Sequence, residues 1–96
     1  TETTTCADRL RVLSDETRLM VVKQLMHGSK HVGEINAAMN VESTLLSHHL
    51  KVLRDAGLVQ AQRDGKAVLY QLARGVGIAG DRTVNLGCCV LSFEVQ

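Results

Sequence analysis

Cys6, Leu10 and Leu13 recur at i, i+4 and i+7, with Asp8, Arg9 and Arg11 between them, which predicts a short helix with one apolar face. Ser14 reads as the N-cap of a second helix, because Asp15 and Glu16 place negative charge in the first turn, where unsatisfied N–H groups lie. Leu19, Val22 and Met26, with Val21 and Leu25 beside them, carry that helix to His27, and Gly28-Ser29 ends it. Val32, Ile35 and Met39 mark a short third helix, with Asn40 suited to the left-handed residue that stops it. A fourth helix follows after two or three residues and runs from Glu42 to Ala56, with Gly57 as its stop. Two short helices joined by so tight a turn form a helix-turn-helix pattern.

Beyond Gly57 the rhythm changes from helix to strand. Leu58 to Arg63 and Lys66 to Leu72 flank Asp64-Gly65, a strong two-residue hairpin signal, and the second arm contains the strand formers Val68 and Tyr70. A hairpin directly after a helix-turn-helix is the plan of a winged helix. Gly75, Gly77, Gly80 and Gly87 make residues 73–96 poor helix material. Val84, Leu86, Cys88 and Val90 alternate, as do Leu91, Phe93 and Val95, so Thr83 to Val95 reads as strand more readily than as a short helix. The expected architecture is α+β: one winged helix-turn-helix domain over residues 1–96. Its helix-turn-helix would cover about 31–56, its wing about 58–72, and a C-terminal segment about 75–96.

Projected at about 100° per residue, the fourth helix divides into two surfaces. Ser43, Thr44, Ser47, His48, Lys51, Arg54 and Asp55 fall in one sector that contains no apolar side chain. Leu46, Leu50 and Leu53 bound that sector on one side, while Leu45, Val52 and Ala56 lie behind. An ordinary solvent face would carry Glu and Lys, since Ser and Thr are poor interior helix formers. Small hydroxyls beside cations suit close approach to base edges and phosphates. His49 projects to the buried side, which favours a hydrogen-bonded packing role, and His27 and His31 lie near helix ends, where capping or exposure is expected.

Composition narrows the class of protein. The chain has 96 residues, 45% of them apolar, with no Pro or Trp and only Tyr70 and Phe93 as aromatics, so the core must be aliphatic and small. A domain of this size buries a modest fraction of its surface, and a homodimer that extends the core is expected. No apolar run approaches the roughly 20 residues of a membrane span, and the first 30 residues are rich in charge, so neither a signal peptide nor a transmembrane helix is expected. No nucleophile, base and orienting acid occur in a recognisable arrangement, and no phosphate-cradling Gly loop precedes a helix, so an enzyme is not expected. The net charge of +1 conceals a basic segment. Residues 43–74 carry Lys51, Arg54, Arg63, Lys66 and Arg74 against Asp55 and Asp64, and the flanking segments are slightly acidic. Arg63 and Lys66 stand either side of the hairpin turn, where they could reach phosphates or simply keep the hairpin solvated. Cys6, Cys88 and Cys89 are an odd number in a chain without a secretory signature, so free thiols in a cytoplasmic protein are expected rather than a disulfide framework.

The run Leu46-Ser47-His48-His49-Leu50-Lys51-Val52-Leu53-Arg54-Asp55-Ala56-Gly57-Leu58-Val59, followed by Arg63-Asp64-Gly65-Lys66 and Tyr70-Gln71-Leu72, resembles the ArsR/SmtB family of bacterial winged-helix repressors. Leu13-Ser14-Asp15-Glu16-Thr17-Arg18-Leu19 is similar to that family's junction between its first two helices. The resemblance implies a homodimer that binds an inverted-repeat operator in double-stranded DNA and releases it when an inducer binds. It implies that Ser43, Thr44, Ser47, His48 and Lys51 meet the major groove, with Arg63 and Lys66 near the flanking backbone. The family often has a small polar cap and Gln where this chain has Glu42 and Ser43, so Glu42 must turn away from DNA.

Inducer chemistry departs from the family's standard sites. His31-Val32-Gly33 stands where the arsenic sensors of the founding type have Cys-Val-Cys, and residues 73–96 contain no His for a zinc-type site. Cys6, Cys88 and Cys89 remain, in two segments that form the dimer interface in this family. Three thiolates suit a thiophilic ion such as As(III) or Sb(III), or Cd(II), Pb(II) or Zn(II) with a further ligand. Redox or reactive-sulfur sensing and buried structural cysteines are the other readings. Adjacent strand residues point to opposite faces, so Cys88 and Cys89 could share an ion only if the backbone kinks, for which Gly87 is the available device. A winged-helix module that docks on protein instead of DNA is the competing function. It should expose apolar anchors on the fourth helix.

Overall fold

Thr5 Oγ1 accepts a hydrogen bond from the Asp8 N–H while the Asp8 carboxylate accepts one from the Thr5 N–H, a reciprocal cap that starts α1 (Cys6–Val12). The computed structural model describes residues 5–94 of the chain. Asp15, not Ser14, is the N-cap of α2 (Glu16–Leu25): its carboxylate accepts from the Arg18 N–H at 3.1 Å, which holds its pKa below the ordinary carboxylate value. Ser14 instead donates to the Arg11 carbonyl at 2.6 Å and closes the preceding helix. Asp and Ser both accept from orphan donors, but the carboxylate also gains from the positive end of the helix dipole, so one residue ends α1 and the next begins α2.

A two-residue strand absent from the sequence reading, β1 (Lys30–His31), leads into α3 (Val32–Met39). Asn40 ends α3 with φ 53°, the left-handed residue its type allows. Glu42 caps α4 (Ser43–Asp55) by accepting the Thr44 N–H, so the two residues expected at the helix ends, Glu42 and Ala56, are its caps. β2 (Val59–Asp64) and β3 (Ala67–Leu72) form the hairpin, and β1 adds to the far edge of β3, pairing Lys30 with Tyr70 and His31 with Leu69.

The hairpin turns one residue later than the sequence suggests. Asp64 pairs with Ala67, so the turn is Gly65-Lys66 rather than Asp64-Gly65. Gly65 has φ 65° and Lys66 does not have positive φ, the pattern of a turn that wants Gly at its first central position.

The C-terminal stretch is strand, but not one strand. β4 (Gly77–Gly80), β5 (Thr83–Asn85) and β6 (Val90–Ser92) make a second antiparallel sheet in that order. The single strand expected from Thr83 onward reverses at 86–89, where Gly87 adopts φ 91°; Val95 lies outside the described residues.

The core lies where α2 and α4 meet. Val21, Val22 and Leu25 face Leu46, Leu50 and Leu53, and Ile35, Leu58, Val84 and Leu86 close the cluster from the other elements. Each fully buried leucine contributes about 1.5–3 kcal/mol, so this aliphatic contact fixes α4 without any aromatic anchor. Val90 of β6 is exposed although Val84 and Leu86, with which it alternates, are buried, and on the helices two apolar residues depart from the expected pattern. Leu10 of α1 is 42% exposed, and Leu45 of α4 is 47% exposed. The buried side of α4 centres on Leu46, Leu50 and Leu53, about a quarter turn from Leu45, which places Leu45 on the flank.

Candidate nucleic-acid interface and cysteine cluster

The aliphatic side of α4 leaves its polar side outward. Ser43, Thr44, Ser47, His48, Lys51, Arg54 and Asp55 are all exposed, in agreement with the helical projection. The Glu42 carboxylate is occupied at the helix start and does not extend along this face. Lys51 Nζ lies 2.9 Å from Asp55 Oδ2, a hydrogen bond that holds the Asp55 carboxyl below its ordinary pKa. An exposed pair one helical turn apart is screened by solvent and holds weakly, so a phosphate can take Lys51 from Asp55 at little cost. A groove of about 210 Å³ between α3 and α4 is lined by Val32, Gly33 and Asn36 on one side and Ser43, Leu46 and Ser47 on the other.

His49 is 7% exposed and accepts a hydrogen bond at Nδ1 from Arg18 Nε at 3.0 Å, the packing role its position suggests. Arg18 also donates to the Val12 carbonyl at 3.3 Å, so one guanidinium joins α1, α2 and α4. His48 projects outward beside it, its ring centroid 5.6 Å from that of His49.

The wing tip carries Arg63 and Lys66, both exposed, and it is tied down. His31 Nε2 lies 2.8 Å from Asp64 Oδ2 and its Nδ1 lies 3.1 Å from Glu34 Oε1, while the His31 N–H donates to that same Glu34 oxygen at 2.8 Å. Asp64 foremost, and Glu34 with it, raise the pKa of His31 above its ordinary value. The pair spans 33 residues of sequence and has no signature there; only the His31/Glu34 spacing, that of a reciprocal helix cap, could have been read.

Cys6 at the start of α1 and Cys88 in the β5–β6 connection are joined by a disulfide, so the free-thiol expectation fails for these two; Cys89 is free. Their Cα atoms are 5.6 Å apart, within the range a bridge requires, because α1 lies against the reversal at Gly87. The three sulfurs lie within 4.8 Å of one another, and Cys88 Sγ is 3.9 Å from Cys89 Sγ. Gly87 supplies the kink that lets both neighbours turn to one side. A third sulfur that close to both members of a bridge stands beside the S–S bond rather than in line with it. The set is a triangle, and a soft ion held at about 2.3 Å from each thiolate needs sulfurs about 4 Å apart. Cys88 and Cys89 already stand at that spacing, and the Cys6–Cys88 bond must be reduced and its sulfurs must part before the cluster could hold an ion.

Arg9 was not singled out by its sequence context. Its Nη1 donates to the Leu86 carbonyl, and its Nε is buried with no partner.

The family model described as the arsR family of bacterial regulatory proteins matches residues 15–61. The transcriptional repressor SmtB of Mycobacterium tuberculosis is 42% identical over 64 residues, which cover 67% of this chain and 47% of that protein. Among solved structures, the repressor BigR from Xylella fastidiosa is 36% identical with TM-score 0.68, covering 72% of this chain and 70% of that one. A homodimeric winged helix-turn-helix domain of a possible ArsR-family regulator from Mycobacterium bovis is 31% identical with TM-score 0.68, covering 71% and 63%. The chain spans about half the length of the curated relatives it matches. These relatives are described as regulators and repressors, not enzymes, and the fold is the same winged helix-turn-helix. The sequence run from Leu13 to Leu72 and the architecture it folds into agree, and the chain belongs to the ArsR family.

Proposed function

We propose that this chain is a homodimeric, cytoplasmic repressor that binds an inverted-repeat operator in double-stranded DNA. The domain is taken as residues 1–96. α4 enters the major groove through Ser43, Thr44, Ser47, His48 and Lys51, and Arg63 and Lys66 of the wing meet the flanking phosphates. The observation that carries this reading is the outward sector of α4, where hydroxyls, an imidazole and the cations Lys51 and Arg54 stand together with no apolar side chain among them; Leu45, the exposed leucine of this helix, lies on the flank outside that sector. Leu10, left exposed on α1, supports a second copy packed there. No helix among the described residues is long and apolar enough to cross a membrane. The test uses a labelled duplex selected by this protein from a random-sequence pool. Affinity should fall steeply with salt, and Lys51→Ala and Arg63→Ala should each weaken it; unchanged affinity in both variants rules out this contact surface.

The effector site in this reading is Cys6, Cys88 and Cys89, which as thiolates bind As(III), Sb(III) or another thiophilic ion and so release the operator. The triangular sulfur set supports it. Arsenite added to reduced protein should give a thiolate absorption band and dissociate the duplex, and neither change would occur if the cysteines are only structural. The Cys6–Cys88 bridge favours a second reading, in which oxidation or reactive sulfur acts on the same residues. Release on oxidation without any ion would select it.

A further inference from the structure

We propose that Arg9 is the positioning residue through which the cysteine cluster acts on α4. Arg9 follows Cys6 by three residues and shares its side of α1. Its Nη1 donates to the carbonyl of Leu86, and the Leu86 N–H donates to the Cys89 carbonyl at 2.8 Å, so Leu86 closes the loop that holds Cys88 and Cys89. The other side of the guanidinium meets the end of the recognition helix. A Cβ placed on Gly57 would stand 3.2 Å from Arg9 Nη2, and one on Gly87 would stand 3.2 Å from Nη1. Gly57 has φ 77° and is where α4 gives way to β2. Two glycines at conformationally demanding positions thus leave room for one guanidinium, which touches the cysteine loop with one nitrogen and the end of α4 with the other.

The energetics favour a transmitting role over a stabilising one. Arg9 forms no ion pair among the described residues, and its Nε is buried without a partner, an unfavourable desolvation that a purely stabilising side chain would not carry. Bridging Cys6 to Cys88 pins α1 to the loop. Reduction by a dithiol, which is itself oxidised to its disulfide while Cys6 and Cys88 each gain a hydrogen, frees α1 to slide. Arg9 then shifts between Leu86 and Gly57, and the start of the wing shifts with it.

This rests on the reading of the cysteines as the effector site, and two measurements separate the claims. The first compares affinity of oxidised and reduced protein for the pool-selected duplex. The wild type should differ by about tenfold between the two forms, and Arg9→Met should bring the ratio close to one while keeping the tighter affinity. Arg9→Lys, which keeps the charge but lacks the fork, should do the same and serves if Arg9→Met does not fold. A variant that weakens both forms equally has only a structural effect and overturns the proposal, as does an unchanged ratio. The second measurement follows the backbone amide resonances of Gly57 and Leu58 on reduction, without DNA. They should move in the wild type and not in Arg9→Met. If they move in this way but affinity does not change, the effector reading fails and the Arg9 link stands; if they do not move in the wild type, the link fails.

Discussion

His31 sits between two carboxylates that belong to different elements, Glu34 of α3 and Asp64 of the wing. Its folded pKa lies above the ordinary 6.5, so the stabilisation from this contact is fully present below pH 6.5 and is lost as pH rises through the raised value. Glu34 behaves oppositely. The His31 N–H, and then its ring, hold the Glu34 pKa below the ordinary 4.5, so its contribution is present above that value and is lost as pH falls through the lowered one. The tie is therefore complete between about pH 4.5 and 6.5. Following the His31 ring protons by NMR should give a midpoint above 6.5, and Asp64→Asn should lower it. At the buried end of the same surface, Arg18→Met removes the donor to His49 Nδ1 and leaves a buried acceptor unpaired. Urea unfolding should show a loss of about 1–3 kcal/mol.

The elements themselves divide by how far their cause is local. α2, α3 and α4 were legible because a 3.6-residue rhythm and a stop residue lie within each, and the polar face of α4 followed from the same rhythm. Leu45 was misplaced because the projection gives angles but not the direction from which the core approaches. β1 was missed because two residues carry no period; it exists only because β3 has a free edge. Gly87 was recognised as a kink, yet the reversal it makes, which turns one expected strand into β5 and β6, depends on β4 waiting beside β5. The Cys6–Cys88 bridge joins residues 82 apart, and no local signal could announce it. At this scale α4 can be tested from both sides. Leu53→Ala, in the centre of the aliphatic contact, should cost about 2–5 kcal/mol by thermal or urea unfolding. Lys51→Ala should leave stability nearly unchanged and lower the slope of log affinity against log salt by about one phosphate contact.

At the scale of the whole molecule, one covalent bond joins the first helix to the last sheet and encloses nearly the entire chain. Closing so long a loop restricts the unfolded state, and Cys6→Ser should reduce the stability of the oxidised protein by about 4 kcal/mol, with little change under a dithiol reductant. The winged helix lies inside that loop, so a chemical event at its ends is felt by an already folded body rather than by a loose tail. The tie between His31 and Asp64 restrains that body at the wing. It narrows the gap between the wing tip and the start of α3 before any duplex arrives, so in the proposed complex the hairpin has less freedom to surrender on contact. Such a gauge favours a groove of matching width, and a groove of another width must first break the tie to be fitted.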